Sequence, residues 1–297
     1  MEWFLLALIP PFVWGIAAIF DKILVSRYVS GMHAGILTNL ASAILPLVFV
    51  PFFSINEAPI ATIIGLIIAG ILWGCARLFY CIAVSKEEAS RVVPFIQVSP
   101  VFILLISLIF LKETINLLHA LGFISVLAGV LWISVRKKEK KVHFTKAIKE
   151  LALHIVCITF SFIILKAYSN LDWWTSLVFI NIGFILSTIP FLIYQNNWKD
   201  IVVNAKSKSV PIVFILFSIA LMAFIGRATF FSALPFAPVA IVTILSSAQA
   251  LVVFILITVI SIKLPTILKE EVNLRILASK ASAIFLILFG ITILAFA

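Results

Sequence analysis

The chain has 297 residues, 64% of them hydrophobic and only 11% charged, against about 25% charged in a typical soluble domain. That balance excludes one oversized water-soluble core and describes a chain dissolved in lipid. The net charge of +10 raises nucleic acid as a partner, but the Lys and Arg residues crowd into alternate loops, where anionic lipid head groups explain them.

A helix that spans a bilayer needs about 20 mostly apolar residues. Ten such runs are predicted, near 3–20, 34–53, 61–84, 92–111, 115–135, 149–168, 174–194, 210–233, 238–261 and 277–297. The first carries Pro10 and Pro11 in its middle and no basic leader ahead of it, so it reads as a span and not as a cleaved signal. The third holds Gly70 and Gly74 at the spacing that lets helix backbones approach closely in lipid, and the fifth repeats the device with Gly122, Ser125 and Gly129. The fourth and ninth are broken or flanked by Pro94, Pro100, Pro235 and Pro238. Proline bends helices and frees carbonyls, and irregular backbone at membrane depth is tolerated where it lines a cavity. Trp3, Trp173, Trp174 and Trp198 stand at span ends and are expected in the interfacial belts.

Connections one, three, five, seven and nine carry nearly all the basic residues, while the even connections hold only Lys112 and Lys166. Basic short loops stay in the cytoplasm. Both termini are therefore expected outside, with the basic loop at 136–149 cytoplasmic. That fifth connection divides the spans into five and five. An odd number per half means that the halves enter the membrane in opposite directions, the arrangement of an inverted-topology repeat. The expected units are residues 1–140 and 141–297 of an all-α membrane protein with ten transmembrane helices. The sequence supports the repeat at several points: Asp21-Lys22 faces Leu165-Lys166, Asn39 faces Asn181, and Arg77 faces Arg227. Gln97 and Ser99 align with Ser247 and Gln249, and Gly122 and Gly129 with Ala283 and Gly290.

Polar side chains inside the spans are the candidate site. An arginine cannot shed its charge and costs about 2.5–3.5 kcal/mol at the centre of an inserted helix even on the lenient scale. Arg77 and Arg227, in matched places, read as binders of an anionic substrate group, which a planar five-donor fork suits. The competing reading is that both snorkel to head groups or cap helix carbonyls. Asn39 and Asn181 read equally as interhelical glue or cavity lining. Gln97, Ser99, Ser246, Ser247 and Gln249 cluster at the broken spans, and Trp14, Trp73 and Tyr80 are candidate cavity walls. No Asp or Glu is expected in the middle of a span: Asp21 reads as a span edge and Glu113 as a span end. His119 and His154 read as solvated or capping residues at span entrances. Exchange or facilitated diffusion thus fits slightly better than proton symport. Cys75, Cys81 and Cys157 all lie within spans and read as packing residues. No catalytic motif, metal set or cofactor signature appears, so no enzyme is expected.

Ala89 to Val130, with Pro94, Pro100, Glu113, Gly122 and Gly129, resembles the signature of EamA-type repeats in the drug/metabolite transporter superfamily, and Pro11-Phe12-Val13-Trp14-Gly15 is similar to the opening of such a repeat. The second half resembles it through Ala237-Pro238-Val239-Ala240, with Lys263 where Glu113 stands in the first copy. The resemblance implies ten helices around a central cavity, with helices five and ten at the periphery. It implies a secondary transporter of a small, amino-acid-like metabolite; the two arginines add the expectation of an anionic group, and the high Ile, Phe and Lys content that of a bacterial inner membrane. The expected partners are that substrate and membrane lipids, with the chain a monomer or a homodimer. Three other readings stay open: a lipid or polyprenyl-phosphate flippase, a membrane scaffold or sensor, and, least favoured by the 27 Phe residues and sparse polar lining, a channel.

Overall fold

Hydrocarbon offers backbone amides no hydrogen-bond partner, so a chain this apolar must satisfy them within its own helices. The computed structural model describes residues 2–87, 89–134, 147–194, 209–263 and 274–296, and every regular element among them is helical. The first group comprises α1 (Glu2–Arg27), α2 (Gly31–Leu47), α3 (Ile60–Lys86), α4 (Ala89–Ile96), α5 (Ser99–Ile106) and α6 (Leu117–Ser134). The second comprises α7 (Ile148–Ala167), α8 (Trp173–Tyr194), α9 (Ser209–Ala233), α10 (Val239–Ser246), α11 (Gln249–Lys263) and α12 (Leu274–Ala295). The basic stretch 136–146, the expected repeat boundary at 140/141 and Trp198 lie outside the described residues.

Seven stretches are long and apolar enough to cross a membrane, and three shorter apolar helices, Ser99–Leu111, Leu117–Trp132 and Ser282–Ala295, accompany them. The shortfall from ten full-length spans begins at the fourth run, which is split between Ile96 and Ser99. Leu5, Phe12, Ile60, Val210 and Phe285 face outward, as an apolar solvent permits.

The halves pack against each other in crossed pairs. α1 lies along α9 and α3 along α7, while α2 and α8 touch each other and the neighbouring α3 and α9. α6 and α12 form a separate pair beside this bundle. Helix association in lipid rests on close contact and interhelical hydrogen bonds, because the tails are as apolar as the side chains. Gly70 on α3 and Gly183 on α8 meet so closely that an added Cβ at either would strike the other helix's backbone. Gly122 and Gly129 on α6 press likewise on Gly290, Leu294, Ala283 and Ile287 of α12, and Ser125 Oγ donates to the Leu286 carbonyl at 2.9 Å. The small-residue stripes are therefore filled within one chain.

One end of the bundle is fastened by polar contacts within the second half and between the halves. The Lys166 ammonium donates to the carbonyls of Leu234 (2.6 Å) and Ala237 (2.9 Å), and Glu113 accepts from the Val239 amide at 3.0 Å, capping the start of α10. Lys112 adopts left-handed backbone, φ 52°, to turn the chain so that Glu113 reaches it. At the same end Asp172 accepts from the Thr175 amide (2.9 Å) and from Asn56 Nδ2 (2.6 Å), while Trp174 packs on Phe53 at 4.9 Å between ring centroids. Trp174 is 4% exposed, so it is a core residue and not a belt residue. At the opposite end Lys22 repeats the role of Lys166, donating to the carbonyls of Val84 and Glu87 at 3.0 Å each.

Candidate functional site

Two helix breaks open the space between the halves. α4 stops after Ile96 and α5 restarts at Ser99, with Pro100 in its first turn. α10 stops at Ser246 and α11 restarts at Gln249. No proline sits at the second break; instead the hydroxyls of Ser246 and Ser247 bond back to the carbonyls of Val242 (3.0 Å) and Thr243 (3.3 Å), a habit that bends helices. Both breaks turn polar side chains toward a central cavity of ≈160 Å³.

Nine of the twelve residues singled out from the sequence line that cavity. Arg77, Arg227 and Tyr80 supply its charge and its phenol, and Trp14 and Trp73 its wall. Gln97, Ser99, Ser246 and Gln249 come from the two breaks. Asn39, Asn181 and Ser247 are fully buried but do not line it. Asn39 Nδ2 instead donates to the Gly74 carbonyl at 3.0 Å, tying α2 to α3. Asn181 acts one step behind the surface by holding Arg227.

The arginines do not reach for head groups. Arg77 grips Asp21 with a two-pronged fork, Nη1 to Oδ2 at 2.8 Å and Nη2 to Oδ1 at 2.6 Å, and its guanidinium carbon lies 5.4 Å from the Tyr80 ring centroid. Arg227 is 2% exposed. It donates from Nη1 to Asn181 Oδ1 (2.7 Å), from Nη2 to the Ser42 carbonyl (2.5 Å) and from Nε to the Ala223 carbonyl (3.2 Å). Its guanidinium carbon also stands 4.8 Å from the Phe184 ring centroid. All three acceptors are neutral, and two of its five N–H groups remain for a ligand. Arg77 keeps 21% of its side chain exposed, so the cavity is wetter at that end and dry around Arg227.

Sequence reasoning missed two members. Asp21 lies inside α1, is 1% exposed and faces the cavity; it is not a span edge, because the helix runs on to Arg27 past the apolar run. His154 also faces the cavity, its Nδ1–H donating to the Ala76 carbonyl at 2.8 Å. It is neither solvated nor a cap, whereas His119 does belong to a cap, its amide donating to Asn116 Oδ1 at 2.7 Å. The legible signal for Asp21 was a mismatch in the expected repeat, a carboxylate where the aligned position of the second half has Leu165.

The rest of the wall is mostly apolar, with a cluster of aromatic rings among aliphatic side chains such as Ile96, Ile158 and Ile219. Trp14 and Trp73 meet edge to face at 6.1 Å, and Trp73 meets Phe162 at 4.9 Å and Phe184 at 5.9 Å. The Tyr80 hydroxyl, buried beside Arg77, has no hydrogen-bond partner. Chemically the arrangement offers a rigid apolar slot with a guanidinium at its dry end. Among the described residues no group of three or more His, Cys, Asp or Glu stands ready to hold a metal ion.

Comparison with known proteins agrees with this build. An uncharacterized protein of Methanocaldococcus jannaschii is 26% identical over 134 residues, which are 44% of this chain and 95% of that protein. A protein of Sinorhizobium sp. described as an uncharacterized transporter in the cobO 3′ region is 32% identical over 80 residues, 27% of this chain and 57% of that one. A crystal structure described only as that of a protein shares the fold, with a TM-score of 0.65 at 15% identity, covering 96% of this chain and 98% of its own. Residues 1–135 match the model of the EamA-like transporter family, which lies within the drug/metabolite transporter superfamily.

Proposed function

We propose that the protein is a secondary transporter that carries a small metabolite bearing an anionic group across a bacterial inner membrane. Arg227 carries the reading: a fixed positive charge, 2% exposed, held only by neutral acceptors at the end of a cavity. Taking a charge out of water costs several kcal/mol unless something compensates it, and an anionic ligand is the compensation this site lacks. The cavity of ≈160 Å³ is below the roughly 300–1,000 Å³ of sites for drug-sized ligands, which favours a small metabolite.

The working architecture is ten spans in two inverted five-helix repeats, residues 1–140 and 141–297, rocking about the cavity in alternating access. Support comes from the crossed pairing of α1 with α9 and α3 with α7, and from Lys22 and Lys166 each holding two carbonyls of its own half in the same way. The Methanocaldococcus relative, covered over 95% of its length by 44% of this chain, supports a half-chain as a natural unit. Charge in the loops favours both termini outside, which a reporter fused at Ala297 tests: a cytoplasmic signal there contradicts it.

The test of function is counterflow in proteoliposomes loaded with a panel of unlabelled carboxylates and given trace labelled benzoate outside. Wild type is expected to accumulate label and Arg227→Gln to match empty liposomes. Uptake by wild type no greater than by empty liposomes for the whole panel contradicts the reading and moves a lipid flippase ahead.

A further inference from the structure

Three fixed charges face the cavity among the described residues: Arg77, Arg227 and Asp21. Both Asp21 oxygens are occupied by the Arg77 fork, at 2.6 and 2.8 Å. A bidentate fork of this kind takes an ionised carboxylate, so Asp21 and Arg77 are neutral as a unit. His154 commits Nδ1–H to the Ala76 carbonyl, and Tyr80 contributes a phenol. One uncompensated positive charge is left, on Arg227.

We infer that Asp21 is a specificity-determining residue that fixes the charge of the cargo at minus one, selecting apolar monocarboxylates over dianions, zwitterions and cations. This rests on the cavity being the transport site. A singly charged carboxylate at Arg227 leaves the closed cavity neutral. A second carboxylate meets no counter-ion, since the Arg77 fork is already engaged. An ammonium meets the like charge of Arg227 and no open carboxylate, and beside the dry Arg227 end either mismatch is costly. The body of the ligand has rings to lie against, Trp14, Trp73, Phe162 and Phe184, and neutral polar or aliphatic side chains beside them. Nothing in the second half repeats this arrangement, because Leu165 stands where Asp21 stands in the first.

The experiment is a thermal-shift titration of the purified full-length protein in detergent, with four ligands alike in shape: benzoate, phthalate, phenylglycine and benzylamine. A ligand that binds only the folded state raises the melting temperature according to its concentration over Kd. Wild type is expected to bind benzoate about tenfold or more tightly than the other three. Asp21→Asn frees the Arg77 guanidinium and is expected to move the preference to phthalate. The double variant Asp21→Asn/Arg77→Gln removes both charges, and its preference is expected to return to benzoate, whatever its absolute affinity. That rescue separates charge from structure even where the single variant folds poorly. Equal binding of phthalate or benzylamine by wild type, or a double variant that still prefers phthalate, overturns the inference while leaving transport itself intact. No response to any of the four overturns it as well, and the counterflow experiment then decides the transport reading independently.

Discussion

Arg77 and Arg227 stand 150 residues apart in matched helices, yet they meet different surroundings. Arg77 turns to a carboxylate on α1, whereas Arg227 turns to an amide on α8 and to backbone carbonyls on α2 and its own helix. The matched asparagines divide in the same way. Asn181 Oδ1 receives Arg227, while Asn39 Oδ1, equally buried, has no partner. Under the proposed repeat the two halves share a scaffold, and single differences such as Asp21 against Leu165 decide which half carries an open charge.

The comparison breaks most visibly at the arginines. Arg77→Gln strands a carboxylate that is 1% exposed, and losing one partner of a buried pair costs about 3–5 kcal/mol; thermal unfolding in detergent is expected to show the loss without any ligand present. Arg227→Gln removes a charge that has no counter-ion, so its unliganded stability is expected to stay close to wild type. Its effect falls on ligand binding, by about 2–5 kcal/mol, the range for losing one partner of a buried charge pair. Titration of benzoate against both variants reads this split. Equal losses of unliganded stability in the two contradict the difference between the halves.

The asparagines sharpen it. Asn181→Ala leaves a guanidinium N–H unsatisfied in a dry site and is expected to cost about 1–3 kcal/mol. Asn39→Ala loses one hydrogen bond to Gly74 and is expected to cost about 1 kcal/mol. Comparing their melting temperatures checks the order, and a larger loss at Asn39 reverses the assignment. The smallest effect lies in the loop. Burial opposes the charge of Asp172, but hydrogen bonds from Thr175 and Asn56 outweigh it and hold the carboxyl below its ordinary value. With the folded value depressed, its contribution is complete above the unfolded value near 4 and fades as pH falls through the lower, folded one. Asp172→Ala is therefore expected to lower the melting temperature slightly at pH 7 and by less near pH 3; a constant difference across that range contradicts the sign.

Much of the scaffold was legible because lipid imposes few solutions. Apolar runs, the glycines of α3 and α6 and the prolines near α5 each announced the element they build. The arginines were legible as anomalies, since a fixed charge in hydrocarbon demands a reason. Asp21 was not, because a hydropathy window closes a span where polarity begins, while α1 runs on to Arg27; His154 lies inside the predicted run, and only the fold turns it to the cavity. The partner of Arg77 lies on another helix, 56 positions earlier, and only the fold brings them together. The break before Gln249 was credited to proline, but it depends on serine hydroxyls whose back-bonding no spacing rule reveals.

The most direct measurement is a crystal structure of the protein with 4-bromobenzoate, the bromine located by its anomalous signal. The ligand is expected in the central cavity, its carboxylate within hydrogen-bond reach of Arg227, its ring against Trp73 and Phe184, and the Arg77–Asp21 pair intact. A carboxylate held instead by Arg77 with Asp21 displaced, or bromine found only on the lipid-facing surface, contradicts it.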